Sequence, residues 1–458
     1  MPANSASATP AGVESPPRLR RVLGLWDLIF YGIILIQPIA PVGIFGIASR
    51  LSRGHMVTTL LVAMVAMILT AVSYGRMAAV YPSAGSAYTY VGRGLNPYLG
   101  FLVGWATVLD YLIIPVINTI YAALTLQRLI PGTSFLLGVI VVLAAITWLN
   151  LRGIKSTAHS NTILLFIMLG VVALYFLQSI RFLYGQQGWP GLFSIRPFYN
   201  PATFNWSALA TATSLATLTY IGFDGITTLA EDARNPRRNI LLATVLVCLI
   251  TGLLGGLQIY LAQQVWPDYS TFPHEETAFF DVCARVGGTL LFQLIGAILL
   301  IASLGSGLAG QVGAARLLFG MGRDNVIPRR WFSYLSPKSG TPVINLVLIA
   351  LLALAGCFLF NYERAAETLN FGAFLAFMGV NLAALRHFYF APPPGYRRRW
   401  WKDFAPPLLG FLFCLTIWCN LPRPAKYIGG CWFLAGLFYL ALSTRGFRKP
   451  PQMMPLEE

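Results

Sequence analysis

Charged residues are scarce in this chain. Only 10% of its 458 residues are Asp, Glu, Lys or Arg, whereas about 25% of an average soluble domain is charged. So little charge cannot cover the surface of a water-soluble globule of this length, which excludes a soluble fold. In contrast, 56% of the residues are hydrophobic and the mean hydropathy is +0.66. We therefore expect lipid to be the solvent of this chain.

Side chains that perform chemistry are also few. The six cysteines and four histidines show no CxxC, Cys/His or catalytic spacing, and most of the cysteines lie in apolar segments as small hydrophobic residues. We expect no disulfide, no metal site and no cofactor. Residues 305–310 match GxGxxG, but no strand precedes them, so close helix packing explains them better. An enzyme is disfavoured because no loop carries a nucleophile or a His/Asp constellation.

Long uninterrupted apolar runs indicate transmembrane helices. The runs at 133–149 and 240–262 are too long for barrel strands of about 10 residues. The sequence predicts an all-α membrane protein with about twelve spans, at roughly 22–50, 56–80, 97–127, 133–150, 158–182, 205–230, 240–264, 288–318, 341–360, 364–388, 404–421 and 425–444.

The basic residues indicate the orientation in the membrane. The net charge is +16, but these residues lie in short loops, so membrane topology explains them better than binding of nucleic acid. A cytoplasmic N-terminus places 23 of the 32 basic residues inside. The first 21 residues have no apolar core with a cleavage site, so we expect them to stay as a cytoplasmic tail. We predict a multi-pass protein of the cell (plasma or inner) membrane with both termini in the cytoplasm.

The first span is interrupted at mid-membrane. It carries Pro38, Pro41, Gly43 and Gly46, and each proline removes a backbone donor and clashes with the preceding turn. A continuous helix is not expected there. The residues of this break that we predict to contact a solute are Ile39, Ala40, Pro41, Val42 and Gly43.

The sixth span is interrupted at a similar depth, where Gly222 and Gly225 bracket Asp224. Unwound backbone leaves N–H and C=O groups that lipid cannot satisfy but a solute in a central cavity can. Paired breaks in two halves of a chain are typical of transporters built from inverted repeats. The alternative is a pair of ordinary helix kinks. Predicted solute contacts here are Tyr220, Gly222, Phe223 and Asp224.

Few ionisable side chains lie within the spans, and each is a functional candidate. Asp224 is the foremost, because a carboxylate beside unwound backbone can pair with a cationic group or bind a proton. Its alternative role is to cap its own helical fragment. Asp110 and Tyr111 are adjacent and point to different parts of the helix surface, so we expect at most one in the cavity. We favour Tyr111, with Asp110 as a candidate hydrogen-bond acceptor between helices.

Two further pairs of polar residues have a structural role as the alternative to a functional one. Glu231 and Asp232 precede a basic cluster at 234–238, and a salt-bridge role is favoured over solute contact. Ser303 and Ser306 lie three residues apart on span 8, where they bind a coupling cation or hold helices together.

These motifs resemble the amino acid, polyamine and organocation transporter superfamily, and within it most closely the putrescine importers. The resemblance rests on residues 81–90, 104–111, 220–232 with 235–236, and 316–328. It implies a leucine-transporter-type 5+5 inverted repeat with discontinuous helices 1 and 6. The implied domains are a tail at 1–21, repeats at 22–182 and 205–388, two extra helices at 404–444 and a cytoplasmic tail at 445–458.

The resemblance also implies roles for residues. Relatives carry an acidic residue at the position of Asp224, in some of them tied to proton coupling, and a tyrosine at that of Tyr111. Two positions depart from the pattern. Pro41-Val42-Gly43 stands where many relatives have Gly-Ser/Ala-Gly, and Met168 stands where many proton-coupled relatives have a lysine.

We predict a secondary transporter that moves an amino acid or a polyamine by alternating access, drawing on the proton gradient through Asp224. The rival function is a membrane receptor or sensor that binds such solutes without moving them. The lack of a sizeable soluble domain argues against a receptor. No ring-forming filter motif of a channel is evident.

Overall fold

A computed structural model describes residues 23–82, 86–152, 158–230, 232–323, 328–336 and 340–448. The predicted N-terminal tail, Glu231 and the last ten residues of the predicted C-terminal tail lie outside the described residues. All regular secondary structure in these ranges is helical, apart from one isolated bridge between Leu23 and Ala233.

The helices fall at the predicted spans. Within the ranges described, nine helical segments are long and apolar enough to cross a membrane. Two shorter apolar helices form spans 4 and 9, and span 6 is broken into pieces. The all-helical fold class is therefore confirmed. The bounds are span 1, Leu25–Ile36, Ala40–Gly43 and Phe45–Leu51; span 2, Met56–Val80; span 3, Pro97–Leu129; span 4, Phe135–Leu151; span 5, Ala158–Gln187; span 6, Trp206–Ala216, Thr217–Tyr220 and Phe223–Leu229; span 7, Pro236–Val265; span 8, Ala278–Arg323; span 9, Val343–Leu359; span 10, Tyr362–Leu385; span 11, Ala405–Cys419; span 12, Arg423–Ser443.

Several spans begin at a polar residue that caps the helix. The side chains of Asn96, Asn205 and Asn361 accept hydrogen bonds of 2.8–2.9 Å from the N–H groups two or three residues ahead. Ser134 caps span 4 in the same way, at 3.2 Å. These bonds satisfy N–H groups that the first turn of a helix leaves unpaired, so local sequence fixes where spans 3, 4, 6 and 10 start.

Span 8 begins ten residues before the apolar run that predicts it. The chain enters the helix at Ala278 and bends at Gly288, whose φ of 61° is a left-handed conformation that glycine adopts at little cost. The added segment contains Asp281 and Arg285, which hide it from a search for apolar residues. Asp281 is paired with Arg128 of span 3.

The two interrupted spans lie against each other within the bundle. The start of span 1 pairs with the end of span 6, where the N–H of Leu23 donates to the carbonyl of Asp232 (3.1 Å) and Arg234 donates back to Leu23 (2.8 Å). Span 1 also packs along span 7, and span 3 packs along spans 8 and 10. The breaks in spans 1 and 6 are therefore enclosed by helices that are continuous.

Candidate substrate site

The first break separates two helical pieces of span 1. The α-helix ends at Ile36, and Gln37 adopts φ 68° and ψ 127°, which turns the chain out of the helix. A single helical turn, Ala40–Gly43, follows before Ile44 interrupts the chain again (φ −105°, ψ 1°). The prediction that span 1 is discontinuous is confirmed, and the break falls on the residues chosen from its prolines and glycines.

Two glutamines hold the first break in place. The side-chain amide of Gln258 on span 7 donates to the freed carbonyl of Pro38 (2.8 Å). The amide of Gln37 donates across to the carbonyl of Ala302 on span 8 (3.0 Å). Sequence reasoning missed both residues, although a glutamine within an apolar helix is a signal for an interhelical hydrogen bond.

The second break is a loss of α-helical structure after Ala216. The chain continues as two 3₁₀ segments separated by Ile221, which is extended, and Gly222, which has φ 123°. A side chain at position 222 would be strained by that φ, so glycine is required. The prediction that span 6 is discontinuous is confirmed.

The two breaks are neighbours in space. A Cβ added to Gly222 would lie 3.4 Å from Ile36, the last residue of the first helical piece, and 3.4 Å from Leu35. A Cβ on Gly225 would lie 2.8 Å from the Leu35 side chain. Main chain of the second break therefore runs directly past the point where span 1 unwinds.

Asp224 lies at the start of the second 3₁₀ segment. Main-chain N–H groups of Gly222, Asp224 and Gly225 lie beside its carboxylate. The side chain also remains partly exposed. The carboxylate is therefore near main-chain donors and accessible at the same time.

The surroundings of Asp224 are rich in hydroxyl groups and poor in positive charge. Four tyrosines interact with it electrostatically. Asp110 of span 3 does so as well. Among the residues that the structure describes, no basic side chain forms an ion pair with Asp224. The tyrosines are Tyr31, Tyr74, Tyr90 and Tyr111.

Asp110 and Tyr111 take different positions, as expected for adjacent helical residues. Tyr111 is 37% exposed and packs against span 8, where a Cβ on Gly313 would lie 2.8 Å from its ring. The Oδ1 atom of Asp110 is buried and accepts no hydrogen bond from the described residues. The site thus contains a second carboxylate with an unused acceptor.

Tyr220 and Phe223 direct their side chains away from the breaks. The Tyr220 hydroxyl donates to the carbonyl of Leu60 on span 2 (2.9 Å). Phe223 is fully buried and packs against Tyr74 and Phe377, with ring centroids 5.4 Å away in each case. Any contact of these two residues with a solute would be made through their main chain.

The two serines of span 8 also differ. Ser306 accepts a hydrogen bond of 3.0 Å from the side-chain amide of Asn118 on span 3, which holds the two helices together. Ser303 is buried one turn earlier, next to the carbonyl of Ala302 that binds Gln37. Met168, on span 5, belongs to the apolar core.

The predicted salt bridges of Asp232 are not found among the described residues. Asp232 forms no ion pair with the described basic residues of its neighbourhood; its main chain pairs with Leu23 instead. The described ranges also contain no group of three His, Cys, Asp or Glu residues that could hold a metal ion.

One side of the first break is covered by aromatic rings. A Cβ on Gly43 would lie 2.9 Å from the Tyr362 hydroxyl and 3.3 Å from the Tyr121 ring. These two rings contact each other, with centroids 5.0 Å apart, and both are buried. Tyr121 of span 3 and Tyr362 of span 10 therefore close this side of the site.

An ionic clasp lies beyond the rings. Arg50, at the end of span 1, binds Glu275 before span 8 (2.6 Å) and Glu363 at the start of span 10 (3.0 Å). On the other side of the breaks, Tyr31 and Tyr111 keep 36% and 37% of their surface exposed. The two rings and Arg50 thus cover one side of the breaks, whereas Tyr31 and Tyr111 keep exposed surface on the other.

Comparisons with known proteins identify the family of the chain. The sequence profile of the amino acid permease family matches residues 23–455. The chain is 35% identical to the low-affinity putrescine importer PlaP of Escherichia coli K12 over 438 residues, which are 94% of this chain and 95% of that protein. It is 26% identical to the branched-chain amino acid permease BcaP of Lactococcus lactis, covering 88% of this chain and 90% of that one. It is 28% identical to the vacuolar cationic amino acid transporter 4 of Arabidopsis thaliana, covering 83% and 65%.

Proposed function

This chain belongs to the amino acid permease family, and from that premise we propose that it imports an amine-bearing solute, such as putrescine or an amino acid, together with protons. As a member of this family it is a multi-pass membrane transporter. The importer of putrescine is the relative that supports a diamine, and the permease for branched-chain amino acids supports the amino acid alternative.

The observation that carries the proposal is the uncompensated carboxylate at the second break. Asp224 is partly exposed, lies close enough to Asp110 for the two carboxyl groups to interact electrostatically, and forms no ion pair with a described basic side chain. A carboxylate within a membrane is costly unless it is paired or protonated. An ammonium group of the cargo is a partner that supplies the missing charge.

We assign the main chain of both breaks to the remaining contacts. The segment Ile39–Gly43 and residues Gly222 to Asp224 present helix ends and unwound backbone around one space. Such ends carry partial charges, positive at N-termini and negative at C-termini. These dipoles would orient the polar groups of the cargo while Tyr111 lines the space beside Asp224.

The clasp gives the site one closed side. Transport by alternating access requires that Arg50 release its two glutamates and that Tyr121 and Tyr362 separate when the site opens on that side. We place this side outside the cell and both termini in the cytoplasm, because this orientation leaves most basic residues inside. In this orientation the side of the site with Tyr31 and Tyr111 would face the cytoplasm. The membrane that the protein spans would be the plasma or inner membrane of the cell.

Proton coupling follows from a change in the surroundings of Asp224. A carboxylate binds protons more tightly when its water and its positive partners are removed. Opening of the transporter would hydrate Asp224, and closing would enclose it. The protonation of Asp224 would then depend on the side of the membrane to which the site is open. Met168 replaces the lysine that serves many relatives in this step, so we assign coupling to Asp224.

Uptake into proteoliposomes tests the proposal. Purified protein is reconstituted, an inward proton gradient is imposed, and labelled putrescine uptake is measured with spermidine and with basic, neutral and acidic amino acids as competitors. We expect accumulation that a protonophore abolishes and competition confined to solutes with an accessible amine. Equal uptake with and without the proton gradient would contradict proton coupling. Binding without counterflow would favour a receptor.

A further inference from the structure

The connection between spans 10 and 11 exposes an unusual combination of side chains. We call residues 391–402 the basic loop. Arg397, Arg398, Arg399 and Lys402 are all exposed, and the two tryptophans between them, at 400 and 401, are 62% and 65% exposed. Four cations and two large aromatic side chains therefore share one short surface segment.

The positive charge of the basic loop is not neutralised at its surface. Asp403, the one carboxylate in the sequence from 386 to 404, is fully buried and paired with Arg76 of span 2 at 2.5 Å. Within the described ranges, none of the four exposed cations forms an ion pair. The guanidinium groups of Arg398 and Arg399 lie instead near aromatic rings, at 5.7 and 5.9 Å from the centroids of residues 389 and 401.

The same buried pair fixes the shape of the basic loop. Asp403 accepts hydrogen bonds from the hydroxyl of Tyr396 (2.9 Å) and from the main-chain N–H of Arg399 (2.6 Å). Arg76 donates to the carbonyl of Lys402 (2.7 Å) and stacks over the ring of Phe388 at 3.8 Å. The loop is thus tied to span 2 from inside, and its exposed cations are presented from a fixed backbone.

The basic loop lies where headgroups are expected. The apolar segment of span 10 runs to Phe390, and that of span 11 begins at Trp400. The residues between them, together with the exposed first turn of the second segment at 400–402, therefore lie at the membrane surface. Tryptophan is enriched at that depth, and clusters of four or more Lys or Arg beside a membrane helix attract anionic lipids.

We propose that the basic loop binds the phosphate headgroups of anionic phospholipids. The guanidinium groups of residues 397–399 present paired N–H donors that match phosphate oxygens, and Lys402 adds a fourth charge. The exposed indole rings insert among the headgroups on either side. A soluble anion would use the cations but would leave two tryptophans exposed to water, so the lipid is the ligand that accounts for both features.

Fluorescence quenching by brominated lipids tests the proposal, because bromine quenches a tryptophan only on contact. Purified protein in micelles is titrated with brominated phosphatidylglycerol or brominated phosphatidylcholine. We expect phosphatidylglycerol to quench at a lower mole fraction, and the difference to disappear in Trp400→Phe/Trp401→Phe. In Arg397→Gln/Arg398→Gln/Arg399→Gln the half-quenching mole fraction should rise on the order of tenfold or more, as removing three charges near an anionic surface predicts.

The control variant removes the same charge elsewhere. Arg53, Arg181 and Arg196 are exposed arginines in other segments, and their triple replacement by glutamine should leave the quenching curve unchanged. Equal quenching by the two lipids in the wild-type protein would overturn the proposal, as would an equal loss in the control. Relief of quenching by millimolar inorganic phosphate would also overturn it, in favour of a site for soluble anions. None of these readings depends on which cargo is transported.

Discussion

The side-chain amide of Gln258 lies 2.8 Å from the main-chain carbonyl of Pro38, so that a continuous helix, span 7, supports the place where span 1 unwinds. The carbonyl is freed because the helix ends two residues earlier and Pro38 lies in the break. A buried acceptor without a partner costs about 1–3 kcal/mol. The break therefore persists in lipid because specific side chains satisfy it.

Replacement of Gln258 by leucine should destabilise the break. We expect a lower melting temperature, by the equivalent of about 1–3 kcal/mol, and a loss of uptake that is larger than the loss of folded protein. Gln263→Leu is the matched control, because Gln263 also lies on span 7 and its amide binds the carbonyl of Gly54, away from the breaks. Equal transport per folded molecule in the two variants would contradict a role of Gln258 at the site.

Gly222→Ala should strain the second break. Alanine at φ 123° costs about 1–3 kcal/mol because of its backbone conformation, while its Cβ would make ordinary van der Waals contact with Leu35 and Ile36. We expect a clear fall in the maximal rate of uptake. Gly430→Ala, in span 12, has no neighbour within 4 Å of the added Cβ and should transport normally. Normal transport by Gly222→Ala would show that this main-chain conformation is dispensable.

Removing the clasp should favour the state that is open on the Arg50 side. Arg50 and its partners are partly exposed, so the pairs contribute about 1 kcal/mol. A reporter, Thr125→Cys, lies on span 3 one turn beyond Tyr121, where Thr125 is buried. In Arg50→Gln a membrane-impermeant maleimide should label it roughly fivefold faster.

The exposed Arg53 provides the control for the clasp. Arg53→Gln removes the same charge three residues away and should leave the labelling rate unchanged. An unchanged rate in Arg50→Gln would mean that the two ion pairs do not hold the closed state.

The pair of Arg76 and Asp403 should be important for stability. Both side chains are buried, and removing one partner of such a pair costs about 3–5 kcal/mol because the other charge remains unpaired. We expect Asp403→Asn to lower the melting temperature strongly. The double variant Arg76→Met/Asp403→Leu should recover part of the loss, since neither charge is then buried. A double variant that is less stable than the sum of both single changes would contradict this view.

The sequence located the two breaks because their cause is local. Proline at 38 and 41 and glycine at 222 forbid or disfavour a regular helix whatever surrounds them, and the structure unwinds at these places. The partners of the breaks were not predictable in the same way. Gln258 and Ala302 are distant in sequence from Pro38 and Gln37, and only packing brings them into contact.

Side-chain direction was the other limit of sequence reasoning. Tyr220 and Phe223 flank Gly222, yet their side chains face spans 2 and 10. Their direction depends on the 3₁₀ geometry and on the φ of Gly222, which helical periodicity does not describe. Asp110 differs from expectation in another way. It was a candidate acceptor of a hydrogen bond between helices, but its buried Oδ1 atom has no hydrogen-bond partner among the described residues.

Binding of labelled putrescine to purified protein is the most direct test of the central claim, that the cargo's ammonium group pairs with Asp224 between the two breaks. Scintillation proximity binding would compare the wild type, Asp224→Asn and Asp268→Asn. Asp268 is an exposed carboxylate in a loop, so its variant controls for the loss of one charge. The account predicts that Asp224→Asn weakens binding at least tenfold while Asp268→Asn binds as the wild type does. Equal affinity in all three proteins would contradict it.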